Sequence, residues 1–314
     1  MKKLFFAFLL LLVLFKTIIF INQEEIMKPT KRMLQSYHYD WLEHPLEHGM
    51  NIEKHQSQNK TPYLIVTQNK TKGLSKRQVL LQEQLRKETH SKVNGTLVLL
   101  HGKNGRKEDL LPVAERYVSL GFTCLLIDLP HHGDSKLDAL YYSTKKHEQL
   151  YVDEVLEDAS KYVNIEHLSM WGMSLGGAFA IANVAHSKHK YEALVLVATF
   201  ERLDKVLKQK SQAIFGDAFG GLLYKGLEKS LALFYDFEPR AVNSAKIAQN
   251  LKLPLYMVHG KKDELISHEQ GKKLFESFAS KEKTFYLDVD GDHHNILVTK
   301  HEFFKESGEF LINF

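Results

Sequence analysis

The sequence has almost no cysteine. Cys124 is the only one in 314 residues, so no intrachain disulfide can form. It sits in Phe122-Thr123-Cys124-Leu125-Leu126-Ile127, an apolar run that reads as a buried strand and makes it a core thiol rather than a reactive one. Charge of one sign is also lacking: 42 Lys and Arg against 38 Asp and Glu leave a net charge of +4. The two signs are interleaved, as in Lys145-Lys146-His147-Glu148, which describes a solvated face. The basic patch at Lys205, Lys208 and Lys210 is short. With no zinc spacing and no aromatic-interleaved basic motif, no nucleic-acid partner is expected. Internal repeats and low-complexity tracts are missing. Apolar residues make up 44% and charged residues 25%, a globular composition without the signature of disorder. The length suits one large α/β domain, with or without a small insertion.

The N-terminus stands apart. Lys2 and Lys3 precede an unbroken apolar run over 4–15, Lys16 interrupts it, and apolar residues resume over 18–21. A basic then apolar order is that of an export signal. No small-x-small cleavage site follows, because the flank is Asn22-Gln23-Glu24-Glu25. Residues 4–21 are just long enough to span hydrocarbon, with Lys16 snorkelling. Residues 1–22 are therefore read as an uncleaved signal-anchor, ahead of a cleaved signal. Residues 4–21 are expected as a single helix protruding from the body and touching the membrane. Lys2 and Lys3 would place the body outside the cytoplasm. A buried N-terminal helix ranks third, because the run over 4–15 has no amphipathic face. Residues 23–94 read as a tether and N-terminal edge strands, the polar stretch 23–60 being the tether proper and 61–67 a strand.

From Gly95 the pattern sharpens. Short continuous apolar runs such as 96–100 and 193–198 suit strands buried on both faces, and 123–128, 167–171, 255–258 and 283–289 also read as strands. Between them lie helical patterns over 107–120, about 149–163, 175–186 and 267–278, with a closing helix over 301–314. Ser267 and Gln270 have capping-box spacing. The alternation predicts an α/β fold: a mostly parallel sheet with helices on both faces, core residues 95–200 and 251–314. Residues 201–250 break the alternation. Phe215, Phe219, Leu222, Leu223, Leu227, Leu231 and Phe234 recur there at helical spacing, so the stretch reads as a small helical cap inserted over the sheet edge.

Ligands of such sheets bind beyond the carboxyl ends of the strands, and the motifs fall there. Gly172-Met173-Ser174-Leu175-Gly176 lies between a predicted strand and a predicted helix. This G-x-S-x-G arrangement lifts a serine hydroxyl on a strained turn, and the small residues two before and two after it let neighbouring backbone pass. Ser174 is the candidate nucleophile. It needs a base and an acid, in the chain order Ser, acid, His. Asp263 follows the strand at 255–258, with Glu264 as the alternative. The loop Asp290-Gly291-Asp292-His293-His294-Asn295 supplies the histidine. His294 is preferred because the chain then runs through Asn295 into the last helix; His293 is the second choice. A metal site from Asp292, His293 and His294 would lack a further ligand. An oxyanion hole takes two backbone N–H groups. Leu175 is one candidate and Lys103, in His101-Gly102-Lys103-Asn104-Gly105, the other, with Asn104 second. His101 reads as a hydrogen-bonded packing residue.

His101-Gly102, Asp128-Leu129-Pro130-His131-His132-Gly133-Asp134-Ser135, the run from Gly172 to Gly177, Val258-His259-Gly260-Lys261-Lys262-Asp263 and the loop over 291–295 together resemble the alpha/beta-hydrolase superfamily. Leu175-Gly176-Gly177 and the small cap resemble the branch of monoacylglycerol lipases and serine aminopeptidases. One departure is His131, where relatives often carry Gly. The resemblance implies a serine hydrolase with the triad Ser174, Asp263 and His294. It would act on a small-molecule acyl substrate, a carboxylic ester ahead of a thioester or amide, with no metal or organic cofactor. The rivals are acyl transfer to another acceptor, a peptidase on the same fold, and a membrane-tethered binding scaffold without catalysis.

Overall fold

The continuous apolar runs become the middle of an eight-stranded sheet. The computed structural model describes residues 2–85, 94–137, 151–300 and 302–314. The strands are β1 (Met50–Gln56), β2 (Pro62–Gln68), β3 (Thr96–Leu100), β4 (Thr123–Ile127), β5 (Leu168–Met173), β6 (Ala193–Val197), β7 (Leu255–Gly260) and β8 (Lys283–Asp288). Their spatial order is β1-β2-β4-β3-β5-β6-β7-β8. Every pair from β4 to β8 is parallel, and only β1 with β2 and β2 with β4 are antiparallel.

The helices are α1 (Lys2–Met27), α2 (Ser36–Glu43), α3 (Lys76–Leu85), α4 (Leu111–Val118), α5 (Tyr151–Ala159), α6 (Leu175–His186), α7 (Leu203–Phe215), α8 (Asp217–Tyr235), α9 (Ser244–Ala248), α10 (His268–Ser277), α11 (Ile296–Thr299) and α12 (Phe303–Ile312). Strand residues alternate between two cores, as the pleat requires. Val98 and Leu100 join the core shared with α5, α6 and α10. Leu97 and Leu99 join the one shared with α3, α4 and α12. Burial on both faces is why these strands read as unbroken apolar runs. Cys124 is fully buried on β4, where burial pushes its thiol well above the usual range.

Sequence and structure differ in three places. The run over 107–120 splits into a 3-10 turn at Lys107–Leu110 and then α4, with Pro112 in the first turn of the helix. The capping box expected at Ser267 does not form: the Ser267 side chain caps nothing, and Gln270 Nε2 donates to Gln209 Oε1 at 3.0 Å. The third difference is the N-terminal segment. Residues 2–27 form a single helix as expected, and Phe6, Leu9, Leu10, Val13 and Leu14 are exposed, but from Phe15 onward α1 packs against α8, with the Phe15 and Phe219 rings edge to face at 6.3 Å. Ile26 and Met27 are buried. The segment after α1 is stitched down rather than loose: Asn104 Oδ1 accepts from the Thr30 N–H at 3.2 Å, and Arg106 donates to the Arg32 carbonyl at 3.0 Å. A hydrophobic run lacks a polar face yet still has a neighbour to pack on, and sequence period alone did not name that neighbour. Among the described residues no helix is long and apolar enough to cross a membrane. The run Lys145 to Glu148, Gln149 and His301 lie outside the described residues.

Candidate active site

Ser174 occupies the turn between β5 and α6 with φ 53° and ψ −117°, a strained conformation for a non-glycine residue. Close packing holds it there. A methyl on Gly172 would lie 2.5 Å from the Gly176 carbonyl oxygen, and one on Gly176 would overlap the Leu100 and His101 carbonyls. The Ser174 N–H donates to the Val197 carbonyl at 2.8 Å, tying the elbow to β6. The hydroxyl stands at the N-terminus of α6, whose dipole favours negative charge developing there.

Asp263 and the histidine loop come together because β7 and β8 end side by side. Their register pairs Gly260 with Asp288. The following loops are laced by Lys261 N–H to the Asp288 carbonyl at 2.7 Å and Lys262 N–H to the Gly291 carbonyl at 2.9 Å. Asp263 Oδ1 accepts from the Leu265 and Ile266 N–H groups at 3.0 and 2.8 Å. Its Oδ2 lies 2.7 Å from His293 Nδ1, and His293 Nε2 lies 3.0 Å from Ser174 Oγ. Burial alone would raise the Asp263 carboxyl, but hydrogen bonds from His259 and His293 outweigh it and hold it well below the usual carboxylate range. Glu264 is exposed and makes no part of this chain of contacts.

The imidazole that meets both Ser174 and Asp263 is thus His293, and the expected placement of His294 there is corrected. Asp292 Oδ1 accepts from the His294 and Asn295 N–H groups at 2.7 and 2.9 Å, and Asn295 Oδ1 accepts from the Asp292 N–H at 2.7 Å. This closed turn directs His293 inward, where it is 7% exposed, and leaves His294 outside. Asn295 is the N-cap of α11, so the residue just before it already belongs to the outward side of the turn.

Sequence reasoning passed over His259, whose only signal was its place near the end of β7. Its Nε2 donates to the Ile266 carbonyl at 2.9 Å and lies 3.4 Å from Asp263 Oδ2. His101 is a packing residue as expected: Nδ1 donates to the Gly102 carbonyl at 2.8 Å and Nε2 accepts from the Leu129 N–H at 3.1 Å. Burial pushes His101 down to about 4 and neighbouring His132 down to about 3, so both rings are neutral. His131 adopts φ 60°, the left-handed region, which explains why glycine suits this turn.

A cavity of about 700 Å³ opens over Ser174. Lys103, Asn104, Leu175, His293 and His294 line it together with the serine. Its far side is apolar, formed by α7, α8 and, unexpectedly, α1. Glu25 of α1 ties three elements together at the rim: its Oε1 accepts from Lys210 of α7 at 2.8 Å and from Lys103 at 3.4 Å. Burial presses the Lys103 ammonium down against the pull of Glu25. The Glu25 carboxyl, despite partial burial, is held low by Lys210 and Lys103.

An eight-stranded, mostly parallel sheet with a serine on a strand-to-helix elbow defines the alpha/beta-hydrolase fold, and this chain has it. Within it, residues 91–238 match the family described as serine aminopeptidase, S33. An uncharacterised Escherichia coli O157:H7 protein, YfhR, is 23% identical over 210 residues, 66% of this chain. The match spans 65% of that relative's length. An esterase of Pyrococcus furiosus superposes with a TM-score of 0.65 at 17% identity, covering 91% of this chain and 97% of its own. A bacterial membrane phospholipase A superposes at 0.56 and 15% identity, covering 100% and 99%. At these identities the structures share the fold.

Proposed function

We propose that the protein is a serine hydrolase that cleaves carboxylic esters, with Ser174 as nucleophile, His293 as base and Asp263 as the acid. The observation that carries this is the unbroken line from Asp263 Oδ2 to His293 Nδ1 at 2.7 Å and from His293 Nε2 to Ser174 Oγ at 3.0 Å. Both spacings are within reach for proton transfer.

The reaction divides into two acyl transfers. Ser174 Oγ attacks the ester carbonyl while His293 Nε2 takes its proton. The oxyanion is held by the backbone N–H groups assigned to Leu175 and Lys103. His293 returns the proton to the leaving alcohol as the carbon–oxygen bond breaks, leaving an acyl-serine. Water then attacks the acyl carbon, His293 takes the water proton, and its return to Ser174 releases the carboxylic acid. Asp263 keeps the imidazole oriented and stabilises its charged form at each step. In this reading α7 and α8 are the cap over the sheet edge. The scheme uses protein groups and water throughout.

The test is labelling by a fluorophosphonate together with turnover of p-nitrophenyl esters. Wild type should be labelled on Ser174, and Ser174→Ala should lose labelling and about a millionfold in turnover. A wild-type protein inert in both assays would replace catalysis by a binding role for the cavity.

A further inference from the structure

Ile18, Ile19, Asn22 and Ile26 share one face of α1 by their spacing, and all four line the cavity above Ser174. Leu223 and Leu227 of α8 line it as well. The two helices meet closely. A methyl on Gly226 would come within 2.5 Å of Ile19 Cδ1, so the glycine lets α1 lie against α8. Polar contacts hold α1 in place at three levels: Gln23 accepts from the Ser230 hydroxyl, Glu24 from the Tyr235 hydroxyl, and Glu25 from Lys210 and Lys103. From Ile18 to Ile26 the wall runs about 12 Å along the cavity that Ser174 also lines.

We propose that α1 is the outer wall of an acyl-binding channel and that Ile18 and Ile19 determine the length of the linear acyl chain it takes, a medium chain rather than an acetyl group. The inference rests on the ester-hydrolase reading for its chemistry. The binding it describes does not need turnover. Each methylene drawn from water into such a channel is worth about fourfold in kcat/KM or affinity. Selectivity should therefore climb with chain length until the chain meets the α1 wall. The residues usually set aside as a leader would then be specificity determinants.

The test uses the full chain and two readouts: the ratio of kcat/KM for p-nitrophenyl decanoate over acetate, and fluorescence titration with a dansyl-labelled undecanoic acid. Ile18→Trp should lower the ratio and weaken the probe by at least about tenfold, the equivalent of two methylenes excluded. Ile19→Ala, which widens the channel, should move the preference toward longer chains. Leu10→Ser, on the same helix but 71% exposed and outside the cavity lining, should change neither readout. An Ile18→Trp protein with unchanged ratio and unchanged probe affinity would overturn the wall. So would a wild type that neither binds the probe nor prefers decanoate. A protein that binds the probe, loses it in Ile18→Trp, yet turns over no ester and leaves Ser174 unlabelled would keep the wall and remove the hydrolase reading instead.

Discussion

On the sheet side of the cavity, Ser174, Asp263 and His293 are all buried: a backbone hydrogen bond and close-packed glycines hold Ser174, backbone N–H groups hold Asp263, and the turn closed by Asp292 and Asn295 directs His293. On the helix side, Ile18 and Ile19 are only half-buried and are placed by side-chain packing and a rim of ionic contacts. Strand ends can hold reacting atoms to within a few tenths of an ångström, because the whole sheet resists their movement. A pair of packed helices tolerates wider change in its facing residues. Under the proposed function, this difference gives chemistry to the first side and choice of substrate to the second. Substitutions on the two sides should then fail in different ways.

The sharpest contrast lies within two adjacent residues. His293→Ala should cost on the order of a millionfold in turnover, as loss of a triad base does, while His294→Ala should stay within about tenfold. Ester kinetics on the pair decide it, and equal losses would break the distinction drawn from the turn at Asp292. Next in size is an effect of acid on the sheet side. His101 and His132 are held neutral by burial, at about 4 and about 3, against about 6.5 for an unfolded histidine. The unfolded chain therefore binds more protons below about pH 6.5, and their contribution to stability, complete above that value, shrinks as pH falls toward 4. Urea midpoints should fall between about pH 7 and pH 5, and His132→Gln should flatten that slope. A variant with the wild-type slope would show that the ring is not a source of it. The smallest effect belongs to the helix side. Glu25 is 45% exposed, so Glu25→Gln should cost less than about 1 kcal/mol, visible as a slight fall in Tm that vanishes in high salt. A large, salt-independent fall would mean that α1 is a keystone of the fold instead of a wall attached to it.

The same division explains what could be read from the sequence. The strands at the centre of the sheet announce themselves because burial on both faces leaves no room for polar residues. Helix α6 does so because Ser174 and the glycines around it mark its start. Asp263 was legible as a carboxylate that follows a strand end and can reach a histidine. The choice between His293 and His294 was not, because it depends on Asp292 and Asn295 closing a turn, a matter of side-chain hydrogen bonds and not of period. The capping box at Ser267 failed for a related reason: Gln209, nearly sixty residues away, draws off the Gln270 amide. Helix α1 was legible as one helix, but its packing on α8 was not. Its uniform apolarity over 4–15 says that it avoids water, not what it avoids water against. Only the spacing of Ile18, Ile19, Asn22, Glu25 and Ile26 hinted at a face turned toward protein.

That α1 finds its partner in α8 has a consequence for how the protein is made. The ribosome delivers α1 first and begins α8 on the order of 190 residues later, which at ordinary synthesis rates is about 10 s or more. During that interval the apolar face of α1 lacks α8 to cover it, and whatever meets the emerging chain in those seconds, a chaperone or a lipid surface, competes with a native neighbour that does not yet exist.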